Sequence, residues 1–294
     1  MEKIKVGLLG VGAIGSVVAC HLFENSELEL FYFNRSPKTE IRLQTIERFF
    51  DFKINIENNI LNKIELDWLI ICLKEHQFES AKNIFPKLIS SKTKIAIIRN
   101  GIKLKEPLLP FTREDQVLEC MINCPTQPDQ NQVYQQLGIP IITTAKLDLA
   151  TNFQLLFKNK DFQFRQVDDF KTENWKKLLE SASLGAITCL TGETCWIFED
   201  EKIKKLFQKL LEEGIQVAKA DGAIIPPNFV NVMLEKIKTY PKKKGTSMLI
   251  DRKLGRPIEL GAKNGAIVNI GKKYNIETPL NELVCTLLEK TNKS

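Results

Sequence analysis

Gly10-Val11-Gly12-Ala13-Ile14-Gly15 follows directly on the apolar run Val6-Gly7-Leu8-Leu9, opens the amphipathic stretch Ala13 to Phe23, and is followed by a second apolar run, Leu28 to Phe33. That order predicts a buried strand turning sharply into a helix, then a second strand beside the first: the opening of a parallel α/β sheet. The three glycines have separate tasks. Gly10 permits the tight turn, Gly12 lets backbone N–H groups approach a pyrophosphate, and Gly15 lets the helix pack close to the strand. With Ala13 and Ile14 between them, they form a phosphate cradle at a helix N-terminus.

The end of the second strand bears on which dinucleotide fits. A site for the 2′-hydroxyl of NAD usually has Asp or Glu about 20 residues beyond the glycines. This chain has Asn34-Arg35-Ser36-Pro37-Lys38 there. A carboxylate repels a 2′-phosphate, whereas a guanidinium binds it through two charge-assisted hydrogen bonds. NADP(H) is therefore expected over NAD(H), with Arg35 on the 2′-phosphate. The alternative is a solvated basic turn.

Composition narrows the function classes. The chain has 294 residues, enough for two domains, and its 42 basic and 36 acidic residues give a formal charge of +6 spread along its length. Lys242-Lys243-Lys244 is the one basic run and has no interleaved aromatics, so no nucleic-acid partner is expected. No apolar run reaches the length that spans a bilayer, and the first strand starts too near Met1 to leave room for a signal peptide, so the expectation is a cytoplasmic protein with no membrane partner. The seven cysteines are scattered without a CxxC pair, which reads as reduced structural thiols and no metal site.

The alternating pattern continues with a strand over Leu66 to Leu73, a helix over Gln77 to Leu88 and a strand over Lys94 to Ile98. Ligands bind outside the carboxyl ends of such strands, which places Lys74 and Asn100 at a cofactor crevice. From Gln116 to Phe164 short β-rich segments (Val117 to Ile122, Ile139 to Ala145, Phe153 to Phe157) are expected to extend the sheet. Beyond Thr172, helices are expected at Trp175 to Leu190, Glu201 to Ala220, Pro227 to Tyr240, Ile258 to Tyr274 and Leu280 to Glu289. The expected fold class is α/β: an N-terminal Rossmann-type doubly wound sheet over residues 1–167, followed by an all-helical C-terminal domain over residues 168–294.

Only two histidines are present. His21 lies within the first helix and reads as a packed residue, and His76 follows Lys74 in a strand-to-helix loop. A reduction coupled to protonation must then find another acid, and a lysine in a cleft both polarises a carbonyl and supplies a proton.

Four regions resemble the ketopantoate reductases (2-dehydropantoate 2-reductases), NADPH enzymes of pantothenate biosynthesis. They are the glycine loop with Arg35; Leu73-Lys74-Glu75-His76-Gln77 with Asn100-Gly101; Trp175-Lys176-Lys177-Leu178; and Ser247-Met248-Leu249-Ile250-Asp251 continuing to Arg256-Pro257-Ile258-Glu259. Asn264-Gly265-Ala266-Ile267-Val268 and Glu277-Thr278-Pro279-Leu280-Asn281 resemble the family's C-terminal pattern. The resemblance implies that Lys177 is the general acid, Glu259 its carboxylate partner, Ser247 a substrate-binding hydroxyl, and Asn100 a residue holding the lysine or the substrate near the nicotinamide. It also implies that Lys74 and Arg35 contact the cofactor phosphates, and that the reaction centre forms where the two domains meet.

One departure stands out. The family's asparagines four and eight residues after the lysine are Ser181 and Gly185 here, so Ser181 offers a hydroxyl on that helix face and Gly185 offers no side chain. The expected partner is a small-molecule 2-oxo acid, 2-dehydropantoate reduced to (R)-pantoate, and a homodimer is compatible with the family. The alternatives are reduction of another branched 2-oxo acid, and a non-catalytic NADP-binding regulator.

Overall fold

Strand segments whose successive side chains alternate between two apolar faces must be covered on both sides, and the first half of the chain is built on that rule. In β1 (Ile4–Leu9), Val6 and Leu8 enter one core while Leu9 enters another. The computed structural model describes residues 2–57, 60, 62–129, 131, 133–158 and 161–291. After β1 come α1 (Ala13–Phe23), β2 (Leu28–Phe33), β3 (Glu40–Gln44), β4 (Phe49–Lys53), β5 (Trp68–Ile71), α2 (Glu75–Ala81), α3 (Phe85–Leu88) and β6 (Lys94–Ile98). They are followed by β7 (Val117–Asn123), β8 (Thr126–Pro128), β9 (Tyr134–Gln136), β10 (Ile141–Ala145), α4 (Asp148–Gln154) and β11 (Gln163–Val167). The helical part comprises α5 (Phe170–Thr191), α6 (Glu201–Ala220), α7 (Phe229–Lys238), α8 (Ser247–Lys253), α9 (Ala266–Lys273) and α10 (Pro279–Thr291).

The main sheet runs β11-β10-β7-β6-β5-β1-β2. It is parallel from β2 to β7; β10 then pairs antiparallel with β7, and β11 parallel with β10. Trp68 and Ile70 of β5 share the core of Val6 and Leu8, while Leu69 and Ile71 share that of Leu9. Both faces are therefore buried, as a doubly wound sheet requires. Strand order reverses at β1, which has β2 on one side and β5 on the other, so the turn after β1 sits at the topological switch point.

A second sheet, β4-β3-β9-β8, contributes Ile41, Leu43 and Phe50 to the core that also takes Val17, Val18 and Cys20 of α1. His21 is fully buried there, edge-on to Phe162 and Phe50, and burial pushes its pKa down, so it packs as a neutral ring.

Two expectations are corrected. Phe153 to Phe157 is not a strand: Asp148 to Gln154 form α4, and Phe153 and Phe157, four residues apart, meet at 5.3 Å within a cluster that includes Trp68, Phe162 and Phe164. A spacing of four is the helical spacing, and the aromatic content outweighed it in the sequence reading. Gln77 to Leu88 is also not one helix. Pro86 stands in the first turn of α3, where its missing N–H costs nothing, and α2 ends before it.

The chain divides into two compact units: Met1–Arg99 with Lys103–Phe170, and Asn100–Ile102 with Lys171–Ser294. Asn100, expected at the edge of the nucleotide-binding domain, thus groups with the helical unit. Asn174 Nδ2 donates to the Gly101 carbonyl at 3.1 Å and holds the three-residue segment against α5. In the helical unit α5 is the central element, buried without interruption from Ala182 to Cys189. Trp175 fixes its register: the ring is 1 % exposed and its Nε1–H donates to Asp221 Oδ2 at 3.0 Å. Among the described residues no helix is long and apolar enough to cross a membrane.

Candidate active site

The glycine loop is built by backbone proximity. Gly10 has φ +95°, a left-handed conformation that side chains disfavour, and its N–H donates to the Phe33 carbonyl at 2.8 Å. A Cβ on Gly15 would lie 1.9 Å from the Gly10 carbonyl oxygen, so α1 could not start where it does. Gly12 differs. It is exposed, it precedes the first turn of α1, and a Cβ there would meet nothing within 4 Å. Packing explains Gly10 and Gly15; close approach of a ligand to the helix N-terminus explains Gly12. Ala13 and Ile14 continue that turn, half-buried.

Where a carboxylate would stand at the end of β2, the Asn34 side chain accepts from the Val11 N–H at 3.2 Å. Arg35 follows, exposed. Lys38, unassigned in the sequence reading, reaches back to the Val11 carbonyl at 3.1 Å and the Ser16 hydroxyl at 3.2 Å, and burial lowers its pKa to about 8. The basic turn is thus folded onto the glycine loop. The only signal in the sequence was its place three positions after Arg35, in the same basic turn. Lys74 caps α2 at the carboxyl end of β5, next to β1, and its N–H donates to Gln77 Oε1 at 3.0 Å. These residues fit a dinucleotide phosphate group, with the Lys38 ammonium held beside a helix N-terminus that no side chain caps.

In the helical unit, Lys177, Ser181 and Gly185 succeed one another at one-turn intervals on α5. Lys177 is partly buried as a residue, but its ammonium end is withdrawn from water. Burial, and then the charge of Lys263, push its pKa down to about 8, against the opposing pull of Glu180 and Glu259. Lys176 beside it makes an ion pair with Glu173 one turn back on the same helix. Glu259 is 5 % exposed, and Asn100 Nδ2 donates to its Oε2 at 3.0 Å. Ser181 Oγ turns to its own helix, donating to the Leu178 carbonyl at 3.3 Å.

Thr246, not Ser247, caps α8: its hydroxyl accepts from the Leu249 N–H at 3.2 Å and lies 2.7 Å from that of Thr188 on α5. That pairing docks the start of α8 on α5. Ser247 is left exposed, with Met248 against Gly185. The expected helix over Ile258 to Tyr274 instead opens with a π-helical turn, Gly261–Gly265, in which the Gly265 N–H reaches the Leu260 carbonyl at 2.9 Å. The wide turn carries Ala262, Lys263 and Asn264 inward together. Lys263, missed by the sequence reading, is 2 % exposed, and its Nζ donates to Ser247 Oγ at 3.0 Å. Asn264 Nδ2 donates to Asn281 Oδ1 at 3.0 Å; the Asn281 N–H and Nδ2 donate to Glu213 Oε2, locking α10 to α6.

The unit thus assembles a lysine with a depressed pKa, a buried carboxylate held by an amide, and a hydroxyl under a second ammonium. Such a set can polarise a carbonyl and move one proton.

The sequence model of the family described as Ketopantoate reductase PanE/ApbA matches residues 6–148, and that described as Ketopantoate reductase PanE/ApbA C terminal matches residues 169–292. The chain belongs to the ketopantoate reductase family. It is a family of nicotinamide-dependent oxidoreductases. The chain is 24% identical to a 2-dehydropantoate 2-reductase of Caulobacter vibrioides over 283 residues, 96% of this chain and 97% of that one. It is 25% identical to a 2-dehydropantoate 2-reductase of Mycobacterium tuberculosis over 288 residues, covering 96% of each. In fold it is similar to a dimeric ketopantoate reductase from Staphylococcus aureus, with a TM-score of 0.87 at 23% identity over 99% of both chains. It is similarly close to a D-mandelate dehydrogenase solved with NADH and anilino(oxo)acetate, with a TM-score of 0.87 at 16% identity over 99% of this chain and 98% of that one.

Proposed function

We propose that the protein is an NADPH-dependent reductase of a branched 2-oxo acid, 2-dehydropantoate to (R)-pantoate, acting in pantothenate biosynthesis. The observation that carries this reading is the withdrawn ammonium of Lys177, its pKa near 8, in the same unit as the Asn100–Glu259 hydrogen bond. A nicotinamide, when bound, supplies the hydride that reaches the ketone carbon. Lys177 does the rest of the chemistry: as an ammonium it polarises the ketone oxygen, and it then gives its proton to the developing alkoxide. Glu259 offsets the charge of Lys177 and accepts from Asn100, which keeps the amide oriented. Ser247 presents its hydroxyl to the substrate, and Ser181 lines the same helix face.

On the cofactor, Gly10, Gly12, Ala13, Ile14 and Gly15 hold the pyrophosphate, Arg35 takes the 2′-phosphate and Lys74 a further phosphate oxygen. Asn34 in place of a carboxylate favours NADPH over NADH. We also propose that the protein works as a homodimer in the cytoplasm; the dimeric relative from Staphylococcus aureus supports the first part of that reading.

Reduction of a different branched 2-oxo acid is the second reading, and Gly185 favours it, because Met248 and Lys263 stand where a longer side chain at 185 would project. A non-catalytic NADP-binding regulator has no use for a withdrawn acid such as Lys177. The test is NADPH consumption, followed by absorbance, with a panel of 2-oxo acids. Turnover of 2-dehydropantoate at least tenfold above the other branched acids is expected; preference for another acid selects the second reading, and no turnover with any selects the regulator.

A further inference from the structure

Gly185, Ser247, Met248 and Lys263 meet at one point of the helical unit. A Cβ added at Gly185 would lie 2.5 Å from Met248 Sδ and 3.7 Å from Lys263 Nζ. The ammonium therefore occupies the side of α5 one turn beyond Ser181 and two beyond Lys177. It is delivered there from the π turn rather than from α5 itself. Ser247 is exposed, so the buried Lys263 meets the outside of the unit at the hydroxyl it donates to, 3.0 Å away. Its charge is also felt at Lys177.

Burying a second ammonium near the first is costly, and no packing need demands it, since an apolar side chain of similar length would fill the same space. Glu259 is held by Asn100; Glu180 is engaged by Lys236 at 2.7 Å and by the Tyr240 hydroxyl; on α8, Asp251 is buried, and Arg252 donates to the carbonyls of Cys189 and Leu190.

Resting on the function proposed above, we propose that Lys263 is the specificity-determining cation of the substrate site: with the Ser247 hydroxyl it binds the carboxylate of the 2-oxo acid, leaving Lys177 free for the ketone oxygen. The division of labour is spatial. One ammonium serves the group that keeps its charge, the other the oxygen that gains one.

The experiment compares wild type, Lys263→Met and Lys263→Gln on a 2-oxo acid and on its neutral methyl ester, following NADPH oxidation. Lys263→Met should raise KM for the acid by about 30-fold, the scale of one charge-assisted contact, while kcat changes by less than about threefold. The acid-over-ester ratio of kcat/KM should fall by a similar factor. Removing the neighbouring like charge should also move the high-pH limb of kcat upward. Lys263→Gln, which keeps a hydrogen-bond donor, should lie between wild type and Lys263→Met, and a melting temperature within a few degrees of wild type certifies the fold of each. Equal losses on acid and ester, or an unchanged KM for the acid, would overturn the assignment of Lys263 and leave the functional proposal standing. A wild type that reduces neither compound overturns the functional proposal, and this one with it.

Discussion

Lys177 and Lys176 are adjacent in sequence and opposite in circumstance. Lys176 neutralises Glu173 at the edge of α5, whereas the Lys177 ammonium has lost water and gained a like charge. Replacing Lys177 with Ala should lower kcat by about 10²-fold or more with NADPH affinity unchanged, the scale of a lost general acid, and Lys176→Ala should change neither quantity. Because the folded pKa of Lys177 lies below its ordinary value of 10.5, its charged form costs stability. That cost is present in full below pH 8 and is relieved as pH rises toward 10.5. Lys177→Met should therefore raise the melting temperature at pH 7 while lowering kcat as Lys177→Ala does, as measured by calorimetry and assay together. The glycines offer a second separation. Gly15→Ala should fail to fold normally, because its methyl would meet the Gly10 carbonyl; Gly12→Ala should melt like wild type and lose NADPH affinity by calorimetric titration. Residues of the glycine loop were legible in sequence because close backbone approach admits one residue type. Lys263 was not, since nothing in Gly261-Ala262-Lys263-Asn264 separates a buried lysine from the exposed Lys272 and Lys273 a few turns on.

At the scale of elements, periodicity located what is regular and missed what is short or distorted. The spans β6 and α6 coincide with the apolar patterns read from sequence, Lys94 to Ile98 and Glu201 to Ala220. The four-stranded sheet escaped notice because its strands have three to five residues and mixed polarity, and α4 was mistaken for a strand on its aromatic content. The π turn before α9 could not be read at all: it depends on an i→i+5 hydrogen bond that no residue type signals. The docking of α8 on α5 is where element geometry reaches the site. Thr246→Val removes both the cap and the contact with Thr188, and should cost about 1–2 kcal/mol in urea denaturation. It should also raise KM for the 2-oxo acid, since Ser247 loses its anchor; unchanged KM would show that the remaining contacts of α8, Arg252 with the Cys189 and Leu190 carbonyls and Lys263 with Ser247, hold it in place.

Over the whole molecule, each unit closes its own core: one of sheet and helices on both faces, the other of helices around α5. The two-part plan was visible as a change from alternating strands and helices to helices alone. The assignment of Asn100 to the helical unit was not, since three residues carried across by single hydrogen bonds leave no pattern. The cofactor reading belongs to the first unit. NADPH should bind at least about tenfold more tightly than NADH, about 1.4 kcal/mol, and Arg35→Ala should remove most of that margin. The catalytic reading belongs to the second, and its most direct test is the pH dependence of kcat/KM for NADPH-driven reduction of 2-dehydropantoate. With Lys177 as the acid, the rate should be level below pH 8 and fall about tenfold per pH unit above it as the ammonium deprotonates, and this limb should vanish from the residual activity of Lys177→Ala. A rate that stays level to pH 10, or a Lys177→Ala variant with the wild-type profile, would contradict the account.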